Sequence, residues 1–450
     1  MPGIRVGRPE RSIHELYQDD PERADALIWG RRGALRGAAL AAVGAALGAT
    51  IPFGRRLPEG MLPAALAQPA ASGGSGGAAQ QGPNLLRMEG KAPLVILGER
   101  PLVAETPEHL LDDEVTPADK MFIRMNGRIP DPFPGDPRAW KLRIEGEVNT
   151  PLELTLGEIE TRFPLVTRRL QMECGGNGRA AFSPQTRGNQ WGNGAISCGE
   201  WTGVRLRDLL RAAGLKDSAK FTGHFGADPH LSGDPNRAAI SRGMRIEKAL
   251  DEDTLVALRL NGQPIPHVHG APVRLIVPGW PGSLSQKWLT RILIRATPHD
   301  GAGMGGTSYR VPVRPIVPGS RNDGRDFVDM ESMPVRSILT NVAHGTRLPA
   351  GTRTLDVRGF AWAGDHTVRA VHVSVDFGAR WTEMQLSAPA NRYAWQRWRG
   401  QVTLPSDGYF EIWYRATDSE GRMQPHAAAN WNPQGYGANP ISRVAILVGG

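Results

Sequence analysis

The chain has 450 residues, 40% of them hydrophobic and 22% charged, which excludes both a single small domain and a disordered polymer and points to two or three packed domains. Its formal net charge of +8 is spread along the sequence with no Lys/Arg tract, which argues against a nucleic-acid footprint and leaves open a positive pocket for a small anion. Cys174 and Cys198 are the only cysteines, too few for a zinc or iron–sulfur site built from thiolates.

In chain order, Arg31-Arg32-Gly33-Ala34-Leu35-Arg36 precedes an Ala/Gly-rich apolar run from Gly37 to Phe53, and small residues follow at Ala64-Ala65-Leu66-Ala67. This pattern predicts an export signal over residues 1–67, and the paired arginines favour the twin-arginine route and a periplasmic protein. The apolar run is shorter than the roughly 20 residues a membrane span needs. Residues 68–91, opening Gln-Pro-Ala-Ala-Ser-Gly-Gly-Ser-Gly-Gly, read as a flexible linker.

From 92 to 318 the pattern is mixed. Trp140 to Ile144 alternates as a strand, Leu206 to Ala213 and Ile246 to Leu250 read as short helices, and Val273 to Val277 and Leu289 to Ile294 read as buried strands. Gly301-Ala-Gly-Met-Gly-Gly306 imitates a dinucleotide fingerprint, but the residues after it do not start the helix that phosphate binding requires. Over 319–450 strict alternation returns at Val371/Val373/Val375, Phe410/Ile412/Tyr414 and Val444/Ile446/Val448, with turns at Asp407-Gly408 and Glu420-Gly421. Short strands at this spacing predict an immunoglobulin-like β-sandwich. The fold class is therefore α+β, a mixed α/β catalytic domain followed by that sandwich.

Two segments carry candidate chemistry. Cys174 lies in Glu173-Cys174-Gly175-Gly176-Asn177-Gly178-Arg179; a lone thiolate in such a turn is either a nucleophile or the single protein ligand to a metal held mainly by a cofactor. A disulfide with Cys198 would remove that ligand, so both are expected as free thiols unless a metal holds one. The second segment runs from His269 through Arg274 to Ser285-Gln286-Lys287; cationic groups at strand ends near Gly/Pro turns suit an anion pocket. Tyr309, after the glycine loop, offers a phenol donor.

Taken together, these segments resemble the sulfite oxidase family of molybdopterin enzymes over roughly residues 92–450. Cys174-Gly-Gly-Asn-Gly-Arg179 is similar to the family's Cys-Ala-Gly-Asn-Arg-Arg, and Asn261-Gly-Gln-Pro-Ile-Pro266 leads into His269-Gly270 in the family's order. Asp376-Phe-Gly-Ala-Arg-Trp381 and Trp431-Asn432 resemble its dimerisation domain. Gly188-Asn-Gln-Trp191 and Gly226-Ala-Asp-Pro-His-Leu-Ser-Gly-Asp234 look more like the molybdenum subunit of bacterial sulfane dehydrogenases. Gly178 stands where the animal enzymes have an arginine, so one cation near the metal is missing or moved.

The resemblance implies roles residue by residue. Cys174 would ligate molybdenum. Phe122, Ile123, Arg124, Met125, Asn126, Asp228, His269, Arg274, Ser285, Gln286 and Lys287 would hold the molybdopterin. Arg124 and Arg179 would attract an anionic substrate, and Tyr309 would stand beside the metal centre. The reaction implied is oxidation of protein-bound sulfane sulfur by oxygen-atom transfer, with a sulfite dehydrogenase or an oxide reductase as alternatives. A cofactor-free binding protein built on the sandwich is the competing class. With no haem motif in the chain, the expected acceptor is a cytochrome c, as a subunit or as a soluble protein; a sulfur-carrier protein is the expected substrate partner. A homodimer or a heteromer with the cytochrome is expected.

Overall fold

A computed structural model describes residues 83–320 and 324–449. The expected export signal and residues 68–82 of the expected linker lie outside these. Residues 83–91, assigned above to the linker, are packed instead: Leu86 is buried, and the Lys91 ammonium donates to the carbonyls of Ala118 and Met121 at 2.7 Å. Composition favours a linker here, but Leu86 and Met88 belong to the main core, which composition alone does not reveal.

The architecture is mostly β, with few and short helices. The first half holds a three-stranded sheet and two five-stranded sheets. In one of the latter, Leu165–Glu173 pairs antiparallel with Ile196–Arg205, which pairs with Leu255–Leu260. In the other, Leu289–Arg295 lies parallel to Lys141–Gly146 and antiparallel to Phe221–Gly226. The helix Leu206–Ala213 buries Leu206, Leu209, Leu210 and Ala213, the i, i+3, i+4, i+7 stripe of an amphipathic helix, and stops at Gly214 with φ +68°. Thr155 and Glu158 form a reciprocal capping box on the helix Leu156–Arg162.

The second half packs a four-stranded and a five-stranded sheet around one core containing Val371, Val373, Trp398, Ile412, Tyr414 and Ile446. The alternating residues of the sequence are those that point inward here, as the two-residue period of a strand requires.

The halves are joined by a shared seam. Leu111, Ile196 and Cys198 meet Ile338, Phe360, Trp362 and Trp395 in one apolar cluster. Across it the Glu173 carboxylate accepts from Arg336 Nε at 3.3 Å and from Trp362 Nε1 at 2.7 Å, with both charged side chains 2% exposed. Asn177 Nδ2 donates to the same carboxylate at 2.9 Å, and Arg336 Nη1 donates to the Asn177 carbonyl at 3.1 Å. Gly178 has φ +79°, and a Cβ there would stand 2.6 Å from Arg336 Nη1 and 2.7 Å from the Ala438 carbonyl. A glycine at this position thus makes room for a guanidinium supplied by the second half.

Removing one partner of a buried ion pair strands the other charge, at a cost of about 3–5 kcal/mol. Arg336→Ala is expected to lose stability of that order in a denaturant melt. Glu173→Gln combined with Arg336→Met is expected to lose distinctly less than the sum of the two single substitutions.

Candidate functional site

The strand Leu165–Glu173 delivers Cys174 to the head of a narrow cleft. The turn is fixed by its backbone: Cys174 N–H donates to the Ala195 carbonyl and Asn177 N–H to the Cys174 carbonyl, both at 2.9 Å. Cys174 and Cys198 are both free thiols. Burial pushes the Cys198 thiol up to about 12, so it is inert at neutral pH.

Phe122, Arg124, Met125, Asn126, Cys174, Asp228, His269, Arg274, Ser285, Gln286, Lys287 and Tyr309 all line this one cleft. Two expected residues do not. Ile123 is fully buried in the main core, because neighbours on a strand face opposite ways and Phe122 and Arg124 take the cleft side. Arg179 is buried beside Tyr436; its Nε donates to the Gln434 carbonyl at 2.7 Å and its Nη1 to the Asn189 carbonyl at 2.8 Å. Trp191 and Trp201, left out of the site on sequence, are core.

The cleft is electrostatically lopsided. Arg274 donates to the carbonyls of His269 and Ser285 at 2.8 and 2.9 Å, while its Nε has no partner. Lys287 Nζ donates to the Val268 carbonyl at 2.9 Å, and Lys91 Nζ lies 3.0 Å from His269 Nε2. Among the described residues no carboxylate lies within ion-pair distance of Lys91, Arg274 or Lys287. Burial drives Arg274 down to about 9 and Lys91 to about 7, and holds Lys287 and His269 well below their ordinary values, with neighbouring cations adding to the last two. Asp228, which accepts from Gln286 Nε2 at 3.3 Å, is raised to about 6 by burial, with Lys287 opposing the rise.

Lys91, Arg242 and Tyr436 are contributors that sequence reasoning missed. Lys91 lay in what read as linker, and Arg242 in a segment without a motif. Tyr436 comes from the second half, beyond the reach of any local pattern.

This donor set fits an anionic cofactor that brings its own metal. Buried cations without carboxylates, together with the unpartnered Arg274 Nε, Gln286 Oε1 and Ser283 Oγ, suit a phosphate-bearing group with polar edges. Among the described residues no group of three or more His, Cys, Asp or Glu could hold a metal, so a metal beside Cys174 would draw its other ligands from the cofactor.

The fold and site define a molybdopterin-binding oxidoreductase. Residues 127–302 match the oxidoreductase molybdopterin binding domain, and residues 328–449 match the Mo-co oxidoreductase dimerisation domain. The chain is 31% identical to chicken sulfite oxidase over 353 residues, covering 76% of this chain and 75% of that one. It is 28% identical to rice nitrate reductase [NADH] 1 over 397 residues, covering 82% of this chain but only 41% of that enzyme. Among solved structures it is similar to the sulfane dehydrogenase SoxCD from Paracoccus pantotrophus, with a TM-score of 0.63 at 25% identity, over 84% of this chain and 94% of that one. The chain belongs to the sulfite oxidase family of molybdopterin enzymes.

Two expectations follow from the electrostatics. Lys287→Met removes a buried, unpaired ammonium, so the cofactor-free protein should melt at the same or a higher temperature while molybdenum content falls several-fold. Metal analysis beside a thermal melt checks both. Asp228 has a folded pKa raised from 3.8 to about 6, so its penalty is fully present above pH 6 and fades as pH falls toward 4. Asp228→Asn should therefore stabilise the cofactor-free protein at pH 8, by up to about 3 kcal/mol for a shift of two units, with the gain shrinking below pH 6.

Proposed function

We propose that this protein oxidises protein-bound sulfane sulfur, derived from thiosulfate, by oxygen-atom transfer, and passes the electrons singly to a cytochrome c. The observation that carries the reading is the cleft itself. One thiolate, a set of unpaired buried cations, an arginine and a tyrosine line a single cavity.

Cys174 would hold the molybdenum from the protein side. Lys287, Arg274 and His269 would hold the molybdopterin phosphate, and Phe122, Met125, Asn126, Asp228, Ser285 and Gln286 its pterin edges. Lys91 sets the orientation of His269. When bound, the group supplies two-electron redox chemistry and oxygen-atom transfer. Arg124 draws in and orients the anionic end of the substrate, and Arg179 adds to the positive field. Tyr309 would donate a hydrogen bond to an oxygen of the sulfur group as it becomes oxidised. The apolar walls, Phe122 and Met172 among them, keep bulk water from the reacting atoms.

The likeness to the sulfane dehydrogenase SoxCD supports sulfane sulfur as the substrate. The paired arginines Arg31-Arg32 support export to the periplasm. We read the second half as an immunoglobulin-like module that forms a homodimer or seats the cytochrome subunit. The likeness to chicken sulfite oxidase favours a second reading, a sulfite dehydrogenase.

Cys174→Ser is expected to keep the fold and lose at least 100-fold in turnover, measured as cytochrome c reduction with molybdenum quantified in the same samples. Near-normal turnover in that variant would sink the ligand assignment. Rapid turnover of the parent enzyme with sulfite alone would select the second reading; poor turnover with sulfite and rapid turnover with a persulfide-bearing protein would select the first.

A further inference from the structure

Beside the Cys174 turn stands a four-layer stack. The Arg242 guanidinium lies 4.4 Å from the ring centre of Tyr309. Tyr309 stacks on Tyr436 with centres 4.9 Å apart and planes 16° from parallel. Arg179 closes the far side, 5.4 Å from the ring centre of Tyr436. A Cβ placed on Gly175, next to Cys174, would stand 3.6 Å from Cδ1 of both tyrosines, so the two rings reach the metal-binding turn equally.

Three further features set this stack apart from ordinary core. Tyr309 has φ +51°, a left-handed conformation that bulky residues rarely adopt and that recurs at functional sites. Arg242 is 1% exposed, its Nη1 donates only to the Gly303 carbonyl at 2.7 Å and the Met304 sulfur at 2.9 Å, and its Nε has no partner. A buried guanidinium without a carboxylate is costly, and its face is spent on Tyr309. Tyr436 is buried, and its ring lies against the Cys174 turn. Its own phenol proton has no acceptor among the described residues.

We propose that Tyr436, supplied by the second half of the chain, is a substrate-contacting residue whose phenol acts beside that of Tyr309, and that Arg242 is the positioning residue that holds the pair. Two neutral phenols side by side donate two hydrogen bonds, which suits the oxygens of a sulfur oxyanion. The pocket thereby combines the charge of Arg124 with two uncharged donors. This rests on the sulfur-oxidising reading of the same cleft.

The test uses the molybdenum-loaded full chain and the variants Tyr436→Phe, Arg242→Gln and Arg242→Lys, with sulfite and sulfate as probes. Binding is read by calorimetry, and KM and kcat by acceptor reduction with sulfite. Tyr436→Phe keeps the ring stack and should keep its molybdenum. It should weaken sulfite binding about tenfold, the loss of one hydrogen bond to an anion, with KM rising more than kcat falls. Arg242→Gln should lower kcat with little change in binding, and Arg242→Lys should restore part of it by keeping the charge over Tyr309. Unchanged sulfite and sulfate binding in Tyr436→Phe overturns the proposal, as does a Tyr436→Phe loss fully explained by lost molybdenum. Failure of the parent enzyme to bind either anion overturns the sulfur-oxyanion reading of the cleft and the proposal with it, whereas poor sulfite turnover, expected of a sulfane-oxidising enzyme, leaves the binding comparison as the deciding test. A parent that binds them, with an indifferent Tyr436→Phe, overturns the proposal alone.

Discussion

The buried pair between Glu173 and Arg336 sits directly behind Cys174, and the geometry of the Cys174 turn depends on it. Glu173 is the last residue of its strand. Its carboxylate gathers Arg336 Nε, Trp362 Nε1 and Asn177 Nδ2, and Asn177 Oδ1 in turn accepts from Ala195 N–H at 3.1 Å. Two of those donors belong to the second half of the chain. The turn that presents the thiolate is therefore held by a domain whose family relatives are described by their role in dimerisation. A buried pair adds little net stability over an apolar substitute, but it fixes one arrangement, because each charge has only one place to go.

That dependence explains what the sequence could and could not reveal. The helix Leu206–Ala213, the inward alternation at Val371/Val373 and Val444/Ile446, and the gathering of Cys174, His269, Arg274 and Lys287 in one cleft were legible, because periodicity and short motifs encode local structure. Ile123 was misplaced because a motif carries no information about which neighbour faces the cavity. Lys91, Arg242, Arg336 and Tyr436 were illegible for a different reason. Each acts through a contact across a large sequence separation, such as the 159 residues between Arg336 and Asn177. On sequence Gly178 suggested a missing cation; only the fold shows a guanidinium from the other half pressing on that glycine.

The same long-range logic shapes the stack beside Cys174. Tyr309 and Tyr436 come from opposite halves, and each carries a cation from the first half on its outer face. Neither ring needs the other for burial alone, since Met330, Met333 and Ile240 pack around both. What the stacking fixes is direction: a ring held between a guanidinium and a second ring has little rotational freedom left. Preorganised donors cost no reorganisation when charge develops near them, which is the usual source of electrostatic catalysis.

The cleft's cations make the cofactor part of the folding problem. Lys287, Arg274 and Lys91 are buried without carboxylates at ion-pair distance, and burial drags each below its ordinary pKa, with neighbouring cations adding to the fall at Lys287. In the cofactor-free chain these groups either lose protons or carry uncompensated charge, and both outcomes raise the free energy of the folded state. An anionic group in the cleft reverses the sign, because each ammonium or guanidinium then gains the counter-charge that the chain withholds. Binding energy so released stabilises only the folded form. The chain therefore spends stability to keep its site selective. Acidic neighbours would relieve the empty cleft, but they would repel the phosphate the cations are arranged to receive. Asp228, its pKa raised by burial to about 6, is the one acid among the lining residues.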